Sequence, residues 1–168
     1  MRHTISALVE NQFGVLARVA GMFSGRGFNI DTLNVGPTHD ARYSRITVVV
    51  IADQTALDQA LKQLERLVNV IEVTHFHSAL NFVGRELVMV KVKADATNRS
   101  EIIELADIFE GHIVDVSPES VMLECTANAN KIANLMAMLK PYEIIDMART
   151  GSVALARALQ PEDEASGD

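Results

Sequence analysis

The order strand, helix, strand, strand, helix, strand occurs twice along this chain, and the repeat restricts the fold more than any single motif. We predict strands where apolar residues alternate and helices where they recur at three- and four-residue spacing. In the first half, these patterns predict strand 3–9, helix 15–25, strand 29–36, strand 43–51, helix 54–68 and strand 70–77. In the second half, they predict strand 86–94, helix 98–110, strand 112–117, strand 120–126, helix 128–140 and strand 143–149. The predicted fold class is therefore α+β, with two consecutive βαββαβ ferredoxin-like domains.

The pattern weakens between the two halves and fails again near the end of the chain. We therefore predict a first domain over residues 1–77, a linker over 78–84 and a second domain over 85–158. Residues 159–168 are mostly polar and acidic, which predicts a disordered tail.

Local signals define some of the element boundaries in the first domain. The turn composition of residues 37–41 predicts that the strands on either side form a hairpin. The β-branched run 46–51 is typical of a central strand. The first helix is expected to stop at Gly25 or Gly27.

Composition and charge narrow the class of protein. Apolar residues make up 48% of the chain, which is enough for one ordinary domain or for two small domains with their own cores. The formal net charge is −7 without a cluster of Lys or Arg, which argues against nucleic acid or an anionic membrane as a partner. Because neither an apolar run of roughly 18 residues nor a signal-peptide core occurs, we expect a cytoplasmic protein. The single cysteine, Cys125, lies in an apolar alternating run and is expected to be a buried structural thiol.

The segment between the first strand and the first helix has the features of a small-molecule site. Gly14 lies at the turn, where it would let a ligand approach the main chain closely. The free N–H groups of the helical turn beyond it favour a carboxylate, and the amides of Asn11 and Asn29 suit a zwitterion. If the strand that follows Asn29 lies beside the first strand, the amides and the helix N-terminus converge on one edge of the sheet. The ordinary alternative is that each of these residues serves only a turn or a cap.

Other polar groups do not form a recognisable active site. His75 and His77 alternate along a strand as a metal pair would, but a strand end is the better interpretation. Four acidic residues in the third helix have the spacing of a solvated face: Glu101, Glu104, Asp107 and Glu110. Neither a dinucleotide fingerprint nor a phosphate loop is present. We therefore predict neither catalytic residues nor metal ligands.

The glycine turn belongs to a longer pattern that resembles a known family. Its residues resemble the ACT-domain start of the small regulatory subunit of acetohydroxyacid synthase, also called acetolactate synthase. The matching residues are Glu10-Asn11, Gly14-Val15-Leu16, Arg18-Val19 and 23–33. The resemblance continues through nearly the whole chain outside the acidic tail, at Pro37-Thr38, Ser44-Arg45-Ile46-Thr47, Gln63-Leu64, Leu67-Val68, Arg85-Glu86-Leu87, Phe109, Gly111, Val114-Asp115-Val116 and Ala148-Arg149-Thr150-Gly151.

The resemblance implies a non-catalytic regulatory subunit whose first domain, 1–77, is an ACT domain. Such a subunit activates a large catalytic subunit and confers feedback inhibition by valine in the biosynthesis of valine, leucine and isoleucine. The cofactors thiamine diphosphate, magnesium and FAD would belong to the large subunit, and this chain would bind none. Valine would bind in a homodimer where two ACT domains pair side by side. On matching positions, the effector-binding residues would be Asn11, Gly14, Val15, Leu16, Asn29 and Ile30.

The sequence leaves the effector itself open. An aliphatic ligand needs an apolar wall, which Val15, Leu16, Ile30 or Val35 could offer, and Phe13 could narrow the pocket. Discrimination among valine, leucine and isoleucine cannot be read from these residues.

Two other classes of protein remain as alternatives. A stand-alone amino-acid-sensing ACT protein would regulate another enzyme or, with a DNA-binding surface, transcription. A small enzyme on a ferredoxin-like sheet would need a convergent polar cluster. Co-purification with a large subunit, retention on DNA and turnover by the isolated chain distinguish the three.

Overall fold

A computed structural model describes residues 1–25, 28–78 and 80–158 of the chain. Its internal contacts divide it into two compact units. The first unit comprises Met1–Val83 together with the described residues from Val153 onward, and the second comprises Gly84–Ser152. The predicted tail over 159–168 and Gly27, one of the two expected helix stops, lie outside the described residues.

The first unit has the predicted βαββαβ order. Its elements are β1 (Arg2–Glu10), α1 (Val15–Ser24), β2 (Asn29–Pro37), β3 (Tyr43–Ile51), α2 (Gln54–Glu65) and β4 (Val70–Phe76). The four strands form an antiparallel sheet in the order β2, β3, β1, β4. This order confirms the predicted hairpin of β2 and β3 and the central position of β3. In this sheet, β2 and β4 are the outer strands of the part that the structure describes.

The core of the first unit lies between one face of the sheet and the two helices. Alternate residues of β1 and β3, such as Ile5 and Val48, pack against Phe23 of α1 and Leu64 of α2, and all four are buried. The helices divide the sheet between them, because α1 contacts β2 and α2 contacts β4. This division places α1 on the side of the sheet that ends in the outer strand β2.

The second helix ends earlier than its apolar stripe predicted. It begins after Asp53, whose carboxylate accepts a hydrogen bond from the N–H of Ala56 at 2.8 Å, and it ends at Glu65 rather than at residue 68. The N–H of Leu67 bonds to the carbonyl of Leu64, three residues back, so the chain tightens and turns toward β4. Val68 is consequently exposed, although it continues the apolar spacing of the helix.

The second unit repeats the same topology. Its elements are β5 (Phe82–Lys93), α3 (Arg99–Ile108), β6 (His112–Val116), β7 (Ser120–Ala127), α4 (Ala129–Leu139) and β8 (Ile144–Arg149). Four strands lie in the order β6, β7, β5, β8, and both helices contribute to the core that these strands cover. The α+β fold of two ferredoxin-like repeats is therefore confirmed. Cys125 is buried in this core as expected, and burial raises the pKa of its thiol.

The boundary between the two units differs from the sequence prediction in two elements. β5 begins at Phe82, inside the segment predicted as a linker, where the Phe82 ring stacks on Phe76 with 4.6 Å between centroids. A further strand, β9 (Val153–Ala156), was not predicted and pairs with β5, whose first two residues belong to the same unit. Strand β9 has only four residues, of which Ala154 alone is buried, and so short a pattern gives little periodicity to read.

A buried carboxylate ties β5 to β8 in the second unit. The side chain of Glu86 is 1% exposed, and its Oε1 accepts a hydrogen bond from Nε of Arg149 at 2.6 Å. Its second oxygen is buried without a hydrogen-bond partner in the described residues. A buried charge that loses its partner is strongly destabilising.

We expect Arg149→Gln to lower the free energy of unfolding by about 2 kcal/mol, less than for a fully buried pair because water reaches the arginine. Urea denaturation of the two proteins measures the difference. The matched variant is Glu86→Gln, which removes the charge and keeps a hydrogen-bonding group, and its loss should be smaller. An equal loss in both variants would mean that packing, rather than the buried charge, determines the effect.

Candidate functional site

The loop between β1 and α1 is held against the β2–β3 turn. The N–H of Asn11 donates to the carbonyl of Arg42 at 2.7 Å, and the Asn11 side-chain amide donates to the carbonyl of Ala41 at 3.0 Å. The turn is itself fixed by Arg42, whose hydrogen bonds to Asp40 lower the pKa of that carboxyl to about 2. Asn11 thus holds the loop against the turn, which is the kind of structural role expected of it if it binds no ligand. Its Oδ1 accepts no hydrogen bond from the residues that the structure describes, so it is available to a donor.

Gly14 adopts the backbone conformation that makes this turn possible. Its φ of 83° lies in the left-handed region, and it precedes α1 as the N-cap residue without a side-chain cap. Apart from its two chain neighbours, no described residue has an atom within 4 Å of a Cβ built at this position, so the space in front of the turn is open. The N–H groups of Leu16 and Ala17 lie in the first helical turn and have no acceptor among the described residues. These groups form a site suited to a small anion.

The two apolar residues that follow the glycine point in different directions. Val15 is 4% exposed and belongs to the core, whereas Leu16 is 43% exposed. Phe13, on the other side of Gly14, is fully exposed. The apolar surface beside the helix N-terminus therefore consists of Phe13 and Leu16, and Val15 supports it from inside.

Asn29 and Ile30 lie far from this loop within one chain. β2 pairs with β3 and not with β1, so the arrangement that would bring the two amides together in one chain does not occur. Asn29 and Arg2 both pair with Ile51, which places Asn29 at the opposite end of the sheet from Glu10. Since β1 has nine residues, the two ends are roughly 25 Å apart. One ligand cannot contact Asn11 and Asn29 of the same chain.

A polar cluster that sequence reasoning missed supports the loop from the other side. Nη1 of Arg18 donates to Oδ1 of Asn69 at 2.6 Å, and Nδ2 of Asn69 donates to Oε2 of Glu10 at 2.5 Å. The N–H of Glu10 also donates to the carbonyl of Asn69. The early end of α2 produces this cluster, because the turn it creates brings Asn69 beside the end of β1.

Three histidines lie together at the other end of the first unit. The ring centroids of His3 and His75 are 5.4 Å apart, and those of His75 and His77 are 4.0 Å apart. Among the described residues, no group of three His, Cys, Asp or Glu side chains could hold a metal ion. Both ring nitrogens of His75 are buried, and neither has a hydrogen-bond partner among the described residues. Burial lowers the pKa of His75 from 6.5 to about 4, and repulsion from His77 and His3 adds to this effect. The negative charge of Asp58 acts in the opposite direction.

The protein should therefore lose stability as the pH falls from 6.5 toward 4. In this range the unfolded chain binds a proton at residue 75 that the folded chain does not, so protonation favours unfolding, and the effect levels off below the folded pKa. Urea midpoints at pH 7, 5.5 and 4.5 measure the loss. His75→Phe should remove part of the pH dependence, whereas His39→Gln, at an exposed position, should leave it unchanged. An identical pH profile in His75→Phe and the unmodified protein would contradict this origin of the effect.

None of the helices within the described ranges is both long and apolar enough to cross a lipid bilayer.

Comparison with known proteins assigns the chain to a family. Residues 5–72 match the family model described as an AHAS small subunit-like ACT domain, and residues 85–158 match the model of the small subunit of acetolactate synthase. The acetolactate synthase small subunit of Mycobacterium bovis is 47% identical over 155 residues, which cover 92% of each chain. The probable acetolactate synthase small subunit of Archaeoglobus fulgidus is 45% identical over 94% of this chain and 98% of its own.

A solved structure extends the agreement to the fold. The crystal structure of the acetolactate synthase small subunit from Thermotoga maritima matches with a TM-score of 0.85 and 37% identity, over 94% of this chain and 98% of that one. The sequence relatives and this structure agree along nearly the whole length of the chain. This protein therefore belongs to the acetolactate synthase small-subunit family, with an ACT domain in its first half.

Proposed function

We propose that this chain is the non-catalytic regulatory subunit of an acetolactate synthase, that it binds and activates the large catalytic subunit, and that it confers feedback inhibition by valine. The observation that carries the proposal is the open turn at Gly14, where helical N–H groups without an acceptor among the described residues lie beside exposed apolar side chains. This is a site for a small apolar molecule with a carboxylate. On this proposal, thiamine diphosphate, magnesium and FAD belong to the large subunit.

The complete effector site requires two protomers. Since Asn29 and the Gly14 loop lie at opposite ends of one sheet, a second chain must bring them together. An antiparallel pairing of two β2 strands, each the outer strand of its sheet, would align residue 29 of one protomer with the Pro37 end of the other. That end is also where Asn11 bonds to the β2–β3 turn. The two-fold symmetry then creates two equivalent sites.

The outward side of α1 is compatible with this pairing. α1 contacts β2 and exposes Ala17, Gly21 and Ser24. A Cβ at Gly21 would meet no atom of the described residues within 4 Å outside its chain neighbours and the backbone of its own helix. Small side chains let two helices approach closely, so they leave room for the same helix of a second protomer as the strands pair. The exposed Leu16 near the start of this side would then become part of the interface.

Each part of valine has a counterpart in this arrangement. The carboxylate would accept hydrogen bonds from the N–H groups of Leu16 and Ala17, and the ammonium group would donate to Oδ1 of Asn29 of the partner protomer. The aliphatic side chain would contact Leu16 and the partner's Ile30, which is half-buried at the start of β2. Valine would therefore stabilise one geometry of the dimer, and this coupling is how binding would reach the catalytic subunit.

Reconstitution tests the proposed function. The large subunit is assayed alone, with this chain, and with this chain plus increasing valine. We expect the chain to raise the rate and valine to lower only the raised rate. A chain that forms no complex with the large subunit, or that turns over substrate by itself, would contradict the proposal.

A further inference from the structure

A cavity of about 230 Å³ lies between α1 and the turn that joins α2 to β4. It is smaller than the roughly 300–1,000 Å³ of sites that hold drug-sized ligands, so it suits only a small molecule. Its lining residues are Val15, Arg18, Val19, Arg66, Leu67, Val68, Asn69 and Val70. Five of these are aliphatic, two are cationic and one is an amide.

The aliphatic residues form an inner wall that belongs largely to the core of the first unit. Val15 and Val19 are buried, and Leu67 and Val70 are partly buried against the same core. Of these five aliphatic residues, only Val68 is strongly exposed, and it lies in the turn after α2. An alkyl group that enters the cavity would therefore leave water for preformed apolar surface.

The polar part of the cavity is positive. Arg18 uses one of its five donors for Asn69, and the guanidinium of Arg66 has neither an ion pair nor a hydrogen bond with the described residues. Among the described residues, none of those that line the cavity is acidic. Glu10 is not one of the lining residues, and its carboxylate accepts the hydrogen bond from the side-chain amide of Asn69.

Helix stability explains the position of Arg66 but not that of Arg18. Arg66 caps the C-terminus of α2, where a cation interacts favourably with the helix dipole. Arg18 lies near the N-terminus of α1, where a cation is unfavourable, and the first turn of that helix holds no acidic residue to offset it. The neutral side-chain amide of Asn69 accepts a hydrogen bond from only one of the donors of Arg18.

We infer that this cavity binds a small aliphatic carboxylate that has no amino group, such as a 2-oxo acid with a short branched chain. Its carboxylate would lie between Arg18 and Arg66, because guanidinium groups bind carboxylates with paired hydrogen bonds. Its alkyl group would pack on Val15, Val19 and Val70. An amino acid would bind here less well, because the ammonium group would face two arginines and no carboxylate. The inference concerns a different ligand class from the proposed effector and does not depend on it.

Calorimetry and methyl NMR on the full chain test the inference with 3-methyl-2-oxobutanoate as the probe. We expect saturable binding and changes in the methyl resonances of Val15, Val19 and Val70. L-Valine, which has the same carbon skeleton with an ammonium group, should leave Val19 and Val70 unchanged. Isobutanol, which lacks the carboxylate, should not bind. Absence of saturable binding by the 2-oxo acid, or equal changes at Val19 and Val70 with valine, would overturn the inference.

Two exposed cations of the same region provide the matched variants. Arg66→Gln should weaken binding of the 2-oxo acid by roughly tenfold, as expected when one charge-assisted hydrogen bond is lost. Lys62→Gln removes a cation from the same helix outside the cavity and should change binding less than twofold. Any response to valine should be the same in both variants. Equal affinity of Arg66→Gln and the unmodified chain for the 2-oxo acid would overturn the assignment of the carboxylate to these arginines.

Discussion

Gly14→Asp is expected to abolish inhibition by valine and to leave a folded protein that still activates the large subunit. The substitution acts through conformation and charge. The left-handed backbone at residue 14 costs an ordinary side chain about 1–2 kcal/mol. The new carboxylate would lie beside the N–H groups that we assign to the valine carboxylate, where it repels that group and competes for its donors. Together these effects should raise the valine concentration for half-inhibition by roughly a hundredfold or more.

Two further substitutions separate these causes. Gly14→Asn keeps the size of aspartate without the charge, and asparagine accepts a left-handed backbone more readily than most residues. It should therefore retain part of the inhibition. Gly14→Ala adds one methyl group to open space and tests the backbone cost alone. Full valine sensitivity in Gly14→Asp would remove the assigned pocket, and loss of activation in all three variants would assign Gly14 to the subunit contact instead.

Asn29→Ala is expected to weaken valine binding by about tenfold or more without reducing activation of the large subunit. The substitution removes the Oδ1 atom that we assign to the ammonium group, and a hydrogen bond to a charged group contributes about 1.5–3 kcal/mol. Asn29 is exposed at the start of an outer strand, so truncation should cost the fold little. Inhibition curves and activation curves from the same reconstituted enzyme measure both effects.

Asn29→Asp is the conservative partner of this variant. It keeps an acceptor for the ammonium group and should retain valine sensitivity that the alanine variant loses. Parallel loss of activation and inhibition in Asn29→Ala would mean that residue 29 serves the fold or the contact with the large subunit.

The sequence predicted the fold well because strand and helix periods are strong where one face is buried. β3 was predicted at its observed bounds, because its apolar run is flanked by turn residues and a cap. The end of α2 was wrong because Leu67 and Val68 continue the helical spacing, and the i to i−3 hydrogen bond that ends the helix leaves no mark in that spacing. The short β9 has the same difficulty, since four residues with one buried side chain give almost no pattern.

The candidate site was predictable in its chemistry but not in its geometry. Gly14 was correctly placed at the turn, since a glycine between a strand and a helix pattern has few other roles. The relation between Asn11 and Asn29 depends on which strands neighbour β1, and these are β3 and β4 rather than β2. The position of Val15 in the apolar stripe of α1 already indicated a buried side chain, and its assignment to the effector site came from the family resemblance. The contact of Asn69 with Glu10 and Arg18 could not be predicted from the sequence, because the position of Asn69 depends on where α2 ends.

The central claim is that each valine site combines the Gly14 loop of one protomer with Asn29 of the other. The most direct measurement is calorimetric titration of valine into a heterodimer, purified through two tags, in which one protomer carries Gly14→Asp and the other Asn29→Ala. Such a dimer retains one site with both intact residues and one site with neither. We predict valine binding with unmodified affinity and about half the stoichiometry of the unmodified dimer. If each site lay within a single chain, neither protomer would retain an intact site, and binding at unmodified affinity would be absent.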